Sequence, residues 1–249
     1  MLKDIVSKKL NTFFIVKGSD CDYLLLYLPY KPFNELDKNH AEVNAFYLAS
    51  NELYFLTKEL VEELREYNAK AYNGNLKKLF KETKCGIELY NTLIAIPPYG
   101  SRLTLSAIEL NGAEEEVLAT FDVTNNVCEK CGSCRSACPT NALEEGFIRE
   151  KCLRDKTDRV LESDYDLELL EGSILGCDFC QRVCPFNVEV SCVDYPDVLK
   201  EELDFATLEK HLEQGRRGLQ GLASFIGANY NRPARIARMV EIAKRAKNS

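Results

Sequence analysis

The sequence predicts an α+β (or α/β) domain over residues 1–122, a loop-rich cysteine segment over 123–195 and a short helical, basic tail over 196–249. Three observations carry this. Runs of β-branched and aromatic residues alternate with helix-period segments in the first half, two compact cysteine runs fill the middle, and apolar residues recur at three and four positions toward the end. With 249 residues, 45% hydrophobic and 29% charged, the chain has enough apolar material for one large or two modest cores. No apolar run approaches the roughly 20 residues of a membrane-spanning helix, so no membrane role is expected.

Taken in order, Thr12 to Val16 and Tyr23 to Leu28 are apolar runs bounded by Lys17-Gly18-Ser19-Asp20 and by Pro29 and Pro32, which reads as two buried strands. From Leu56 to Tyr67 the spacing of Leu56, Leu60, Val61 and Leu64 predicts a helix, and Leu76 to Lys84 predicts a second, ended by Gly86. Thr92 to Ile96 reads as a strand stopped by Pro97-Pro98 and a Tyr99-Gly100-Ser101 turn. Arg102 to Leu110 reads as a strand entering an Asn111-Gly112 hairpin. In the middle segment Pro139 to Leu143 is expected to start a short helix. Beyond 196, Leu219, Leu222, Phe225 and Ile226 form one apolar face and Ile236, Met239, Val240 and Ala243 another, separated by residues 227–231.

The cysteines set the chemistry. Seven of the eleven lie in Cys128-x2-Cys131-x2-Cys134-x3-Cys138-Pro139 and Cys177-x2-Cys180-x3-Cys184-Pro185, with Cys152 between. That spacing is the ligand pattern of two 4Fe-4S clusters, in which the proline-linked cysteine of a run serves the other cluster. Cys128, Cys131 and Cys134 then take Cys184, while Cys138, Cys177 and Cys180 need one more thiolate. Cys152 supplies it better than Cys192, which lies past the exit proline of the second run. The middle segment is therefore expected to be a ferredoxin-like two-cluster domain. Cys21, Cys85 and Cys192 are expected to be packing or surface thiols.

Disulfides and zinc are the rival uses of these cysteines. The chain opens Met1-Leu2-Lys3-Asp4 without a cationic stretch leading into an apolar signal core, so a reducing, cytoplasmic setting is expected. Structural zinc favours paired C-x2-C knuckles, often with histidine, and the only histidines, His40 and His211, lie outside the cysteine region. No Walker-type or dinucleotide-binding glycine run is present, and no C-x3-C-x2-C run for a cluster that binds S-adenosylmethionine. Gly215, Gly218 and Gly221 are read as close packing. Net charge is −7, yet from Lys210 onward nine Lys/Arg face two Glu, leaving about −14 for the remainder. Arg216, Arg217, Arg232, Arg235 and Arg238 thus make a candidate phosphate-binding face, or a solvated helix surface.

The order of cysteines, with Gly176-Cys177-Asp178-x-Cys180-Gln181-x-Val183-Cys184-Pro185-Phe186-Asn187, resembles the epoxyqueuosine reductases, corrinoid-dependent enzymes that modify tRNA. The resemblance is specific over about 123–190 and implies the same fourth-ligand allocation, with Cys152. Upstream, Leu28-Pro29-Tyr30, Asn91-Thr92-Leu93-Ile94 and Tyr99-Gly100-Ser101 look like that family's cobalamin-domain landmarks, which makes Tyr99, Gly100 and Ser101 candidate corrinoid contacts. The family's glycine-rich segment appears here as Cys85 to Asn91 without most of its glycines or its lysine. Its catalytic aspartate, counted back from Asn91, falls near Lys70, and residues 68–81 hold no acid. The expected function is an oxidoreductase that receives electrons from a donor protein and passes them through two 4Fe-4S clusters to a corrinoid or other acceptor on the N-terminal domain, which acts on an RNA base, as in tRNA, or on a small molecule. The alternative is a ferredoxin-type electron carrier for a partner enzyme.

Overall fold

The computed structural model describes residues 2–18, 20–112, 128–159, 165–187 and 191–248. It divides into two compact units, residues 1–30 with 49–131, and residues 31–48 with 132–249. The division falls within helix α2 (Phe46–Glu63).

The first unit is built on an antiparallel sheet in the order β1-β2-β7-β4, made of Phe13–Lys17, Asp22–Pro29, Leu103–Leu110 and Lys70–Ala71. Side chains alternate across a strand, so one register feeds two faces. Ile15, Leu24, Leu26, Ile108 and Leu110 pack with Leu2 and Val6 of α1 (Leu2–Ser7) and with Leu53 and Leu60 of α2. Phe14, Val16, Leu25, Tyr27 and Ala107 pack on the other face with Leu79 and Phe80 of α3 (Leu76–Glu82). Both faces are covered, which is why Tyr23 to Leu28 reads as a continuous apolar run with no polar alternation. Thr57 Oγ1 on α2 donates to the Leu53 carbonyl and lies 2.9 Å from Ser106 Oγ on β7.

Some expectations shift. The helix predicted over 56–67 starts at Phe46 and gives way to a 3-10 turn over Arg65–Tyr67. Only Ile94–Ala95 of the predicted 92–96 strand is extended, as β6 against β5 (Ile87–Glu88) and outside the main sheet, because Thr92 holds a positive φ of 63°. The partner of the Asn111-Gly112 hairpin lies outside the described residues.

In the second unit β3 (Glu42–Val43) pairs in parallel with β8 (Ser173–Leu175), and the core gathers Val43, Tyr47, Leu153, Ile174, Leu203 and Met239. The helices are α4 (Ser133–Ser136), α5 (Leu153–Asp158), α6 (Phe179–Arg182), α7 (Asp197–Leu203), α8 (Phe205–Glu213), α9 (Gln220–Ile226) and α10 (Pro233–Asn248). Proline at the first position of α10 costs no hydrogen bond, and Asp204 caps α8 by accepting the Thr207 N–H at 2.9 Å. The tail therefore shares one core with most of the cysteine segment and with residues 31–48, where the sequence pattern suggests three successive domains. The helix expected from Pro139 is a set of turns, since Asn141 takes a left-handed φ of 54°.

Candidate iron-sulfur centre

Cys134 lies on α4 and Cys180 on α6, and these short helices pack against each other. Cys138 leaves α4 through a turn in which the Ala142 N–H donates to Cys138 Sγ at 3.3 Å, an amide–sulfur bond of the kind that tunes cluster thiolates. Thr140 Oγ1 lies 3.7 Å from the same sulfur and donates to the Lys151 carbonyl at 2.7 Å. That bond brings the backbone beside Cys152 to the Cys138 turn. Cys152 opens α5, where its carbonyl accepts the Lys156 N–H at 2.9 Å.

One turn further, fully buried Thr157 accepts the Gly176 N–H at 3.0 Å. Gly176 has a φ of +94°, and a Cβ there would stand 2.7 Å from Asn44 Cβ and 2.8 Å from Tyr47 Cε2. Glycine is required, and Cys177 follows it. Threonine hydroxyls thus fasten three separate segments, those bearing Cys138, Cys152 and Cys177.

Electrostatics reports the same convergence. Burial pushes the Cys180 thiol up to about 12, with Cys177, Cys152, Cys134 and Cys138 adding to the rise. Burial also pushes Cys177 up to about 12, opposed by the Phe179 N–H and reinforced by Cys152, Asp178 and Cys138. The thiolate form needs nearby positive charge, which the irons of a cluster supply. Among the described residues no three His, Cys, Asp or Glu side chains could hold a single metal ion. A cubane, with one thiolate on each of four irons, spreads its ligands more widely. Cys184 is buried, Cys128 is half-buried and Cys131 is exposed. Cys128 and Cys131 belong to the first unit.

The thiols set aside behave differently. Cys85 is buried in the sheet core of the first unit, where burial pushes it up to about 11, and its Sγ lies 3.5 Å from the Thr83 carbonyl. Cys21 precedes β2, and Cys192 is exposed.

Tyr99, Gly100 and Ser101 lie in the first unit at a tight turn. The Ile96 N–H donates to the Gly100 carbonyl at 2.9 Å and the Tyr99 N–H to the Ile96 carbonyl at 2.8 Å. Gly100 has a φ of 65°, Ser101 is buried, and the partly exposed Tyr99 ring lies 5.9 Å from that of Tyr27.

The basic tail divides. Arg216, Arg217 and Arg232 are exposed, and Asn231 Nδ2 donates to the Arg216 carbonyl at 2.9 Å, which joins their loops. Arg238 is paired with Glu241, Arg245 with Glu168 and Lys247 with Glu42. Arg235 is not on the exposed face. It shares a helical stripe with Met239 and Ile242, four and seven residues on, and is 7% exposed.

A profile described as a 4Fe-4S double cluster binding domain matches residues 127–187. Among curated proteins, the epoxyqueuosine reductase of Listeria monocytogenes is 34% identical over 136 residues, covering 51% of this chain and 35% of the relative. That of Prochlorococcus marinus is 37% identical over 107 residues, covering 39% and 33%. This chain is epoxyqueuosine reductase-like. The matches span about a third of the length of these relatives. The fold of this reductase-like chain is similar to that of Bacillus subtilis epoxyqueuosine reductase, captured with its catalytic loop swung out of the active site, at a TM-score of 0.70 and 18% identity over 89% of this chain and 63% of the other. It is also similar to an epoxyqueuosine reductase bound to an epoxyqueuosine-modified tRNA-Tyr stem loop, at a TM-score of 0.65 and 18% identity over 89% and 64%. The epoxyqueuosine reductase-like segment is thus a domain for two 4Fe-4S clusters.

Sequence reasoning missed Thr140, Thr157, Tyr47 and Asn44, which hold the cysteine segments. A lone threonine carries no pattern. Gly176 beside Cys177 was the one legible sign that the backbone approaches something closely there.

Proposed function

We propose that the chain is an iron-sulfur oxidoreductase of the epoxyqueuosine reductase type, receiving electrons from a donor protein in the cytoplasm and acting on a modified base in tRNA. The observation that carries this reading is the convergence of Cys138, Cys152, Cys177 and Cys180 from three chain segments. These four would ligate one cluster, and Cys128, Cys131, Cys134 and Cys184 the other. With a thiolate for every iron, both clusters relay electrons and leave no iron open to substrate.

A corrinoid is the acceptor this reading places on the first unit. Among the described residues, Asn91 Nδ2 and Thr104 Oγ1 of that unit are buried without a hydrogen-bond partner, and an amide-rimmed ligand would satisfy them. When bound, a corrinoid supplies the reducing centre, while the protein orients it and excludes water. Tyr99, with its exposed ring, and the close-packed Gly100-Ser101 backbone are the contacts proposed for it. Titration of the anaerobic, cluster-loaded protein with hydroxocobalamin is expected to reach one equivalent with a shift in the corrinoid absorption bands. Absence of binding would favour the second reading, an electron carrier without a substrate. The sequence of residues 68–81 speaks for that alternative, because an acid is needed there and none is present.

For tRNA, the exposed Arg216 and Arg217 are the contacts proposed. Affinity is expected to fall with salt at a log-log slope of about −0.7 to −0.9 per neutralised phosphate, and Arg216→Gln with Arg217→Gln should flatten it by about two such increments. Fluorescence anisotropy with a tRNA anticodon stem loop reads this. An unchanged slope with intact iron content would move the contact elsewhere.

A further inference from the structure

Among the described residues, a cavity of about 330 Å³ lies wholly within the second unit, between residues 32–45, the segment around Cys177 and the end of α10. Its size falls in the roughly 300–1,000 Å³ range of small-molecule sites. Of the four cysteines assigned to one cluster, Cys177 lines the cavity, while Cys138, Cys152 and Cys180 do not. The cavity is therefore not the space that the cluster itself fills. Cys177 is the wall between the two.

Another wall is aromatic. The half-buried Phe33 ring stacks on buried Tyr195, with centres 4.1 Å and planes 26° apart. Tyr195 is itself fixed, because its hydroxyl donates to the Val43 carbonyl at 3.0 Å and accepts the Val43 N–H at 3.2 Å. The chain on either side of Phe33 is held too: the Val193 N–H donates to the Pro32 carbonyl at 2.9 Å, and the Asn34 N–H to the Val193 carbonyl at 2.8 Å. Two cations of the lining are matched by its own carboxylates, Lys247 Nζ lying 2.6 Å from Glu42 Oε1 and Arg182 Nε 2.7 Å from Asp178 Oδ1. Glu35, Lys38 and Glu171 stand at the exposed rim. A preformed slot with an aromatic wall, internally paired charges and polar edges suits a planar, uncharged ring that hydrogen-bonds around its margin.

We propose that this cavity takes the isoalloxazine ring of a flavin and is the place where electrons enter the chain. The inference rests on the reading above that the chain receives electrons for its clusters. Each cluster accepts a single electron, so a hydride donor such as a nicotinamide is mismatched to it, whereas a reduced flavin can release its two electrons one at a time. The step balances: two N–H bonds of the reduced ring break, one electron passes to each of the two clusters, and the two protons leave to water at the rim. Oxidised flavin is the product. Cys177 is the covalent path from the cavity wall to iron.

Titration of the anaerobic, cluster-loaded chain with riboflavin, followed by flavin fluorescence, tests this without corrinoid or tRNA, so its failure and that of the reductase reading are separate results. Saturable binding of one equivalent is expected. Phe33→Ala removes the aromatic wall and Ser173→Leu fills the cavity, and each should weaken binding at least about tenfold with iron content unchanged, while Phe33→Trp should keep it. In stopped flow, chain reduced by dithionite and freed of it should pass electrons to oxidised riboflavin at a rate that saturates with flavin, the reverse of the proposed step. A flavoprotein with an exposed ring edge supplies the second arm. Saturation by riboflavin assigns the site to free flavin, Phe33-dependent exchange with the flavoprotein alone assigns it to a docked donor, and both uphold an isoalloxazine site. No saturable exchange with either one overturns the proposal, as does full exchange in both Phe33→Ala and Ser173→Leu. Displacement of riboflavin by an equal concentration of guanosine also overturns it, because the slot would then hold any planar base.

Discussion

Cys152→Ala is expected to lower the iron content of anaerobically purified protein from about eight atoms per chain to about four, the loss of one cluster of two. Cys152 is isolated in sequence, yet Thr140 ties its neighbour Lys151 to the Cys138 turn, and both Cys177 and Cys180 respond to its charge. Removing its thiolate leaves one iron of that cluster without a protein ligand, while the cluster assigned to Cys128, Cys131, Cys134 and Cys184 keeps all four. Iron assay with electron paramagnetic resonance of the reduced protein should show one signal lost and the other unchanged. Full iron in Cys152→Ala, together with loss in Cys192→Ala, would transfer the ligand role to Cys192.

The second large effect belongs to Gly176→Ala. Placing a side chain at a φ of +94° costs about 1–2 kcal/mol in backbone strain. Contacts of 2.7 Å to Asn44 Cβ and 2.8 Å to Tyr47 Cε2 add an overpacking cost of about 1–3 kcal/mol, because neither a Cβ nor a buried ring edge yields easily. Together the expected loss is about 3 kcal/mol, read as a lowered urea midpoint of the cluster-loaded protein. Gly146→Ala separates the two causes. Gly146 has a φ of +102°, but a Cβ there would meet no atom within 4 Å, so it should show the strain alone. Equal shifts in the two variants would mean that Tyr47 and Asn44 do not confine the Gly176 turn.

The double-cluster domain was legible because cluster chemistry fixes spacing within a run and ligand number overall, and the same two constraints leave Cys152 preferred to Cys192 for the remaining iron. The strands Phe13–Lys17, Asp22–Pro29 and Leu103–Leu110 were legible too, since burial on two faces leaves long apolar runs. What the sequence hid is long-range. Val43 pairs with Leu175, and the Ala41 N–H donates to the Leu203 carbonyl at 2.9 Å, so residues 31–48 join a unit whose other members lie more than 80 residues downstream. No local periodicity encodes that choice. Arg235 was misplaced on an open basic face because charge alone suggested solvent, whereas its spacing to Met239 and Ile242 put it on the buried stripe. The two-residue β5 and β6 were blurred by Thr92, whose left-handed backbone breaks an otherwise β-like run.

The hydroxyls of Thr140 and Thr157 also bear on the entropy of assembling the centre. Cys152 follows Cys138 by 14 residues and Cys177 follows it by 39, and drawing such stretches of free chain together costs a loop-closure entropy of roughly 2–3 kcal/mol each. Bonds at 2.7 and 3.0 Å between protein atoms offset part of that entropy. The two hydroxyls therefore share with the cluster the cost of holding the three cysteine segments together.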